Sequence, residues 1–425
     1  MSLFFERVFS LAKDAGYVAQ VLPGTIFNGA STKDLRVHLL DETTINSLIT
    51  FENRDIFEAV DDRYNFGVVT FRNSGHTDEL RGIFQQHGLD VIGEFDQRAL
   101  SISRKVLLEY SPEARIFPQL RAQEEVEILE RIVQHPPISR QTDDGWFAQP
   151  HAELHLTSDA DRFIEEESEG DYPVYAGGDI YQFNYNPSFV NIKPPAFWSV
   201  EEDVDPERSA KRRVREKSVR KLKRTVYDAF DGTGSQVGFV NDLLEDHRGA
   251  KLAESDVLLD CTEHRIVFRD ITKSTNERTI IAAVTPPGVI CTNTLHTIRP
   301  YHIDPDKADL RDSPLHSAYK RVFTDESLFA ALGLIDSVPF DYLMRTKIDT
   351  HIVMYKFKES QVPRLTAGDD WFEYIWRRAA RLNCYGKAFA AMRDRLGVEA
   401  ATDPDERETV QAELDAAAFH AYGLS

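Results

Sequence analysis

The sequence predicts an α/β fold, with a sheet at the N-terminal end, a mixed α/β middle and a helical C-terminal part. Three observations carry this expectation. Residues 1–75 alternate helical and strand-like apolar patterns. Residues 264–286 place two apolar strands on either side of a polar loop. Beyond residue 301 the apolar positions recur mostly at helical spacing. At 425 residues the chain is long enough for two or three domains with substantial cores.

In the first part, residues 5–15 have helical spacing and stop at Gly16, a suitable C-terminal cap. Residues 17–23 read as a buried strand closed by Pro23, and residues 32–40 as an amphipathic helix capped by Ser31 or Thr32. Two further strands are expected at 45–51 and 66–71, giving the order of a doubly wound sheet. Three strands leave one flank unpaired, so others should come from elsewhere. Residues 76–170 read as a connector. They contain a helix at 120–133 carrying Glu124, Glu125, Glu127 and Glu130, between proline-punctuated turns. His151, Glu153 and His155 invite a metal reading. However, residues 153–157 alternate like a strand and the HExxH order is absent, so satisfied or surface histidines fit better.

The strongest charge contrast lies at 208–224. Arg208, Lys211, Arg212, Arg213, Arg215, Lys217, Arg220, Lys221, Lys223 and Arg224 face a single acidic residue, Glu216, in a chain of net charge −20. Ala210, Val214, Leu222, Val226 and Phe230 recur at multiples of four, so one stripe packs inward while other faces present cations. Such a rod suits a polyphosphate backbone, where released counterions drive binding. A charge-laced surface helix is the competing reading. The acidic excess, 70 Asp and Glu against 50 Lys and Arg, suits adaptation to high salt. No apolar run reaches membrane-spanning length, and the N-terminus lacks a secretion pattern. Cys261, Cys291 and Cys384 are scattered without a CxxC, which points to a reducing cytoplasm and away from structural zinc.

The polar loop after residue 268 holds Arg269, Lys273, Thr275, Asn276 and Arg278. Arg can bridge guanine O6 and N7, and Asn can bridge adenine N6 and N7. Thr and Asn also bond their own turns, which is the competing use. Gly177 and Gly178 would allow close backbone approach to a ligand or positive φ, unless they simply make a hairpin turn. The cluster Trp371, Phe372, Tyr374, Ile375 and Trp376 reads as a core face.

Several blocks in order carry a family resemblance. Val-Leu-Pro-Gly-Thr-Ile-Phe at 21–27, Lys-Asp-Leu-Arg-Val-His-Leu-Leu at 33–40, residues 45–53, Ile56 with Phe57, and residues 64–71 resemble the second half of the catalytic domain of adenine-specific N6 DNA methyltransferases, particularly large type IIG-like restriction–modification enzymes. Residues 153–159 with Arg162 and Phe163, 172–184, 264–286 and 407–424 are similar to later blocks of the same enzymes. The resemblance implies the terminal part of a Rossmann-like methyltransferase sheet at 1–75 and a connector at 76–170. A target-recognition domain at 171–365 and a C-terminal helical segment at 366–425 would follow. It also implies that Phe57 stacks on an adenine flipped out of the duplex, against the alternative of a core aromatic. Asp179 stands where relatives often carry a basic residue, which weakens a phosphate contact there. The family's Asn/Asp-Pro-Pro-Tyr/Phe tetrapeptide and its glycine-rich donor-binding turn do not occur in this sequence. S-adenosylmethionine and catalysis are therefore expected on another, upstream-encoded methyltransferase half, with double-stranded DNA as the partner of this one. The expected role is the DNA-recognition portion of a restriction–modification or phage-defence system, with any nuclease lying elsewhere. A stand-alone DNA-binding remnant and an acidic scaffold protein are the alternatives.

Overall fold

The computed structural model describes residues 2–54, 56–58, 60–61, 64–142, 145–162, 172–186, 210–273, 275–348 and 350–424. The three expected N-terminal strands form as β1 (Tyr17–Pro23), β2 (Thr44–Glu52) and β3 (Asn65–Arg72), but β1 is not the buried strand expected, because it lies at the sheet edge with Tyr17 and Val21 exposed. Two more, β4 (Glu79–Gln86) and β5 (Leu100–Ser103), come from the stretch read as a connector. They complete a five-stranded sheet of order β1-β3-β2-β4-β5. The sheet is not the parallel, doubly wound one expected. β3 lies antiparallel between β1 and β2, β5 is antiparallel to β4, and β2 with β4 is the parallel pair. A parallel return from β2 would need a crossover, usually helical, and no helix is found among the described residues between β2 and β3.

The helix Ser2–Leu11 and the helix Lys33–Asp41 cover this sheet through Phe5, Leu39 and Leu40, which are fully or almost fully buried. Thr32 precedes the second helix as expected, but its hydroxyl donates to the Thr25 carbonyl at 2.8 Å instead of capping the helix. The reason is Arg36, a buried guanidinium that must satisfy its own donors. It donates to Ile26 O and Gly29 O at 2.7 Å and to Ala114 O at 2.6 Å, stapling the helix to residues 114–115. Burial still lowers its pKa to about 10.

The acidic helix of the middle stretch spans Gln123–Ile132 and buries Val126, Leu129 and Ile132. Residues 153–157 do not form the strand expected of their alternation. The strand β6 is shorter and earlier, Pro150–His151, because Glu153 turns inward onto an arginine. Next come β7 (Val174–Tyr175), β8 (Arg265–Arg269), β9 (Ala282–Thr285), β10 (Ile290–Cys291) and β11 (Leu295–Ile298). They make a four-stranded sheet of order β6-β11-β8-β9 and a parallel pair of β7 with β10. The strands β8, β9 and β11 are buried almost throughout, and the helix Asp325–Ile335 packs against β8 and β9.

The basic stretch forms the helix Ala210–Ala229, packed on Gln236–Arg248. Its stripe behaves as expected, with Val214, Leu222 and Val226 buried against Val240 and Leu244. The C-terminal helices are Phe372–Asn383 and Pro404–Ala421. Phe372, Ile375 and Trp376 are buried, so that part of the aromatic cluster is core, while Trp371 is half-buried and stacks on His420 at 4.8 Å and Tyr374 is exposed.

Candidate nucleic-acid interface

The basic helix divides its cations between two sides. Arg213 Nε donates to Asp159 Oδ1 at 3.0 Å, and Lys217 Nζ donates to the Glu153 carbonyl at 2.5 Å and lies 3.4 Å from Asp159 Oδ2. Burial pushes the Asp159 carboxyl up, but the His155 amide, Lys217 and Arg213 outweigh it and hold it below its ordinary value. Lys221 is turned inward too. Burial, with Arg299 nearby, pulls its ammonium down to about 7 against the attraction of Asp260. Arg213 and Lys217 thus tie the helix to Asp159 and Glu153, contacts that neither the surface-helix reading nor the DNA reading anticipated.

On the other side Arg212 pairs with Glu216 at 3.7 Å, Arg215 with Glu254 at 3.5 Å and Arg224 with Asp228 at 3.5 Å. Such pairs at the surface are worth at most about 1 kcal/mol. Arg220 is exposed. Arg215, Arg220 and Lys223 border a groove of about 370 Å³ floored by Val219, Val237 and Leu252. Arg208 and the side chain of Lys211 fall outside the described residues.

The loop between β8 and β9 also separates into anchors and tip. Arg269 Nη2 donates to the Ile180 carbonyl and its guanidinium sits 5.7 Å from the centre of the Tyr181 ring. Arg278 Nη2 donates to Asp415 at 3.1 Å. Both arginines are thus occupied in holding the fold. Lys273, Thr275 and Asn276 are exposed at the tip, where Asn276 Nδ2 reaches Thr272 Oγ1 at 3.4 Å.

Gly177 and Gly178 open a short 3-10 turn that ends at Asp179. It is not a hairpin, since β7 before it pairs in parallel with β10. Neither glycine has positive φ. Gly177 is required by close approach: its amide donates to Thr294 Oγ1 at 3.1 Å, and an added Cβ would lie 2.7 Å from the Thr294 carbonyl. Gly178 has open space beside it. Asp179 closes the turn by accepting the Ala176 amide at 2.7 Å. Burial raises its carboxyl to about 6, opposed by that amide and by Arg269.

Phe57 follows β2 and is 43% exposed, so it is not a core aromatic. Its ring meets Phe66 edge-on at 4.9 Å, and Phe66 in turn stacks on Phe51 at 4.9 Å. The turn that presents it is held by Asn53, a fully buried side chain. Asn53 Oδ1 accepts the Phe57 amide at 2.9 Å, and Nδ2 donates to Val60 O at 2.7 Å. A small polar cleft lined by Asn28, Glu52, Asn65 and Gln119 lies beside Phe66. Sequence reasoning missed Asn53, and no local signal marks its role, since its bond to the amide four residues on reaches beyond the two-residue Asx turn.

His151 is a satisfied structural histidine, whereas His155 is exposed. His151 Nδ1 and Thr297 Oγ1 are 2.9 Å apart, and burial, then Arg299, Arg265 and Lys221, pull the imidazole well below its ordinary pKa. Glu153 Oε1 instead accepts from Arg265 Nη1 at 2.5 Å, with both side chains buried, and its Oε2 accepts the Cys291 amide at 2.8 Å. Among the described residues no group of three or more His, Cys, Asp or Glu could hold a metal.

Comparison with known proteins gives a family-level similarity to restriction–modification methyltransferase proteins. Residues 1–57 match the family of the Eco57I restriction-modification methylase. No curated protein matches the chain. Among solved structures, the type IIL restriction-modification enzyme MmeI in complex with DNA aligns with 99% of this chain at 13% identity and a TM-score of 0.46, over 48% of its own length. The type IIG restriction endonuclease BpuSI aligns with 99% at 11% identity and a TM-score of 0.33, over 49% of its length. A nuclease-deletion mutant of the type ISP enzyme LlaGI with a DNA substrate mimic aligns with 90% at 10% identity and a TM-score of 0.37, over 30% of its length. The chain therefore spans about half of the first two proteins and less than a third of the last.

Proposed function

We propose that this chain is the DNA-recognition portion of a site-specific N6-adenine DNA methyltransferase of a restriction–modification or phage-defence system. The observation that carries the reading is Phe57: a large aromatic ring held out toward solvent by a buried asparagine, within the segment that matches the methylase family. A ring so presented suits stacking on a base extruded from the duplex, whose target atom is unreachable inside the helix. The outward cations Arg215, Arg220, Lys223 and Arg224 would hold phosphates, while Lys273, Thr275 and Asn276 would face the base edges. Methyl transfer needs mainly alignment of the adenine amino group with a sulfonium centre, so the contribution of this chain is to orient the base.

The residues of this chain offer no glycine-rich donor turn and no catalytic tetrapeptide, so S-adenosylmethionine would be held by another part that supplies the activated methyl group. The free side of β1 suits that partner. β1 is the edge of its sheet, Tyr17 and Val21 on it are exposed, and Leu3, Phe4 and Leu11 of the neighbouring helix are exposed as well. An open edge flanked by apolar side chains is ready to be extended by further strands. A cytoplasmic location and a high-salt habitat belong to the same proposal.

The test is reconstitution. The full chain, combined with a polypeptide carrying the missing tetrapeptide and donor turn, should transfer labelled methyl groups from S-adenosylmethionine to adenine N6 of duplex DNA. Neither part alone should do so. Absence of duplex binding at every ionic strength, with and without the second polypeptide, would sink the proposal and favour an acidic scaffold.

A further inference from the structure

The exposed loop has a neighbour that sequence reasoning did not single out. Ile271 bridges His351 in antiparallel register, the Thr272 amide donates to Thr350 O at 3.1 Å, and the Ile352 amide donates to Asp270 O at 2.8 Å. These contacts fix His351 beside the loop that carries Lys273, Thr275 and Asn276. The His351 side chain is 49% exposed, and Ile271 next to it is 60% exposed. His351 Nδ1 lies 3.1 Å from Asp270 Oδ2, and the buried His296 reaches Asp270 Oδ1 from the interior, its Nε2 at 3.5 Å. Burial pushes the Asp270 carboxyl up, but the bonds from His296 and His351 outweigh it and keep it ionised.

An ionised carboxylate can only accept, so the His351 nitrogen facing Asp270 carries the proton. In its neutral form the ring is thereby fixed as one tautomer, with Nε2 left as a hydrogen-bond acceptor. Lys273 on the same surface can only donate, so His351 adds the complementary chemistry. Adenine N6 and cytosine N4 are the amino donors displayed in the major groove.

Building on the DNA-recognition reading, we propose that His351 is a base-reading residue of this surface, accepting a hydrogen bond from the exocyclic amino group of an adenine or a cytosine. Asp270 is its positioning residue, and His296 braces Asp270 from within.

The experiment selects duplexes from a library with a randomised core, using the full chain, His351→Ala and Asp270→Asn. Every single-base substitution of the selected duplex is then measured for affinity. His351→Ala should lose about tenfold discrimination at one A·T or G·C pair and keep the remaining preferences, as expected for one base contact of about 1.4 kcal/mol. Replacing the amino-bearing base there by its deaminated counterpart should weaken the wild type and leave His351→Ala unchanged. Asp270→Asn should weaken the same preference without abolishing binding, since it frees the ring to change tautomer. Because His351 is half exposed, its alanine variant should fold normally, which circular dichroism checks. An identical substitution profile for wild type and His351→Ala overturns this assignment alone. Failure of the wild type to enrich any sequence overturns the DNA-recognition reading with it.

Discussion

Replacing Arg220, Lys223 and Arg224 by Ala tests the division of the basic helix most directly. Each phosphate contact contributes a slope of about −0.9 to log K against log salt. Removing three such contacts should therefore flatten the slope by about 2.7. Over a fourfold rise in salt, from about 50 to about 200 mM, the wild type should then lose about fortyfold more affinity than the variant. The inward pair gives the control. Arg213→Ala with Lys217→Ala leaves Asp159, whose side chain is 2% exposed, with only the His155 amide among the described residues. An uncompensated buried charge costs about 3–5 kcal/mol. With Arg213 and Lys217 themselves 28% and 29% exposed, solvent screening reduces this to about 1–3 kcal/mol. Fluorescence anisotropy on a labelled duplex at several salt concentrations reads the first variant, and thermal unfolding reads the second. The assignment fails if the outward variant keeps the wild-type slope, or if the inward variant flattens it while leaving stability untouched.

Four other outcomes are expected. Glu153→Gln should destabilise the chain by about 3–5 kcal/mol in denaturant unfolding, because it strands the buried Arg265 guanidinium; a loss below about 1 kcal/mol would show the pair to be dispensable. Gly177→Ala should cost about 1–3 kcal/mol, since its Cβ would press on the Thr294 carbonyl, whereas Gly178→Ala should be close to neutral. Phe57→Ala should change stability by less than about 1 kcal/mol, yet lower methylation in the reconstituted enzyme by the about 1–3 kcal/mol of one stacked base. Lys347 gives a pH signature. Burial pulls its ammonium down to about 7, so between about 7 and about 10.4 the unfolded chain binds a proton that the folded chain does not. Its share of stability is thus reduced below pH 7 and rises with pH through that window, by up to about 1.4 kcal/mol per pH unit. Lys347→Met should remove that share, and an unchanged slope in urea titrations at successive pH values would contradict it.

The sequence by itself determined what short-range periodicity can carry. The inward stripe Val214, Leu222 and Val226 was visible as a multiple-of-four pattern and is buried as read. So were the three N-terminal strands and the loop flanked by β8 and β9, because alternation and apolar runs are local properties of the chain. Tertiary structure alone decided the strand order, since β4 and β5 joined the sheet from a stretch that read as a connector. It also decided the fate of each charge. Arg265 meets Glu153 across 112 positions and Arg278 meets Asp415 across 137, and no local pattern encodes such a meeting. Lys217 and Arg220 look alike in sequence. Asp159, brought up from another part of the chain, makes one a strut and leaves the other in solvent, because a buried carboxylate must find its counter-charge wherever folding places one.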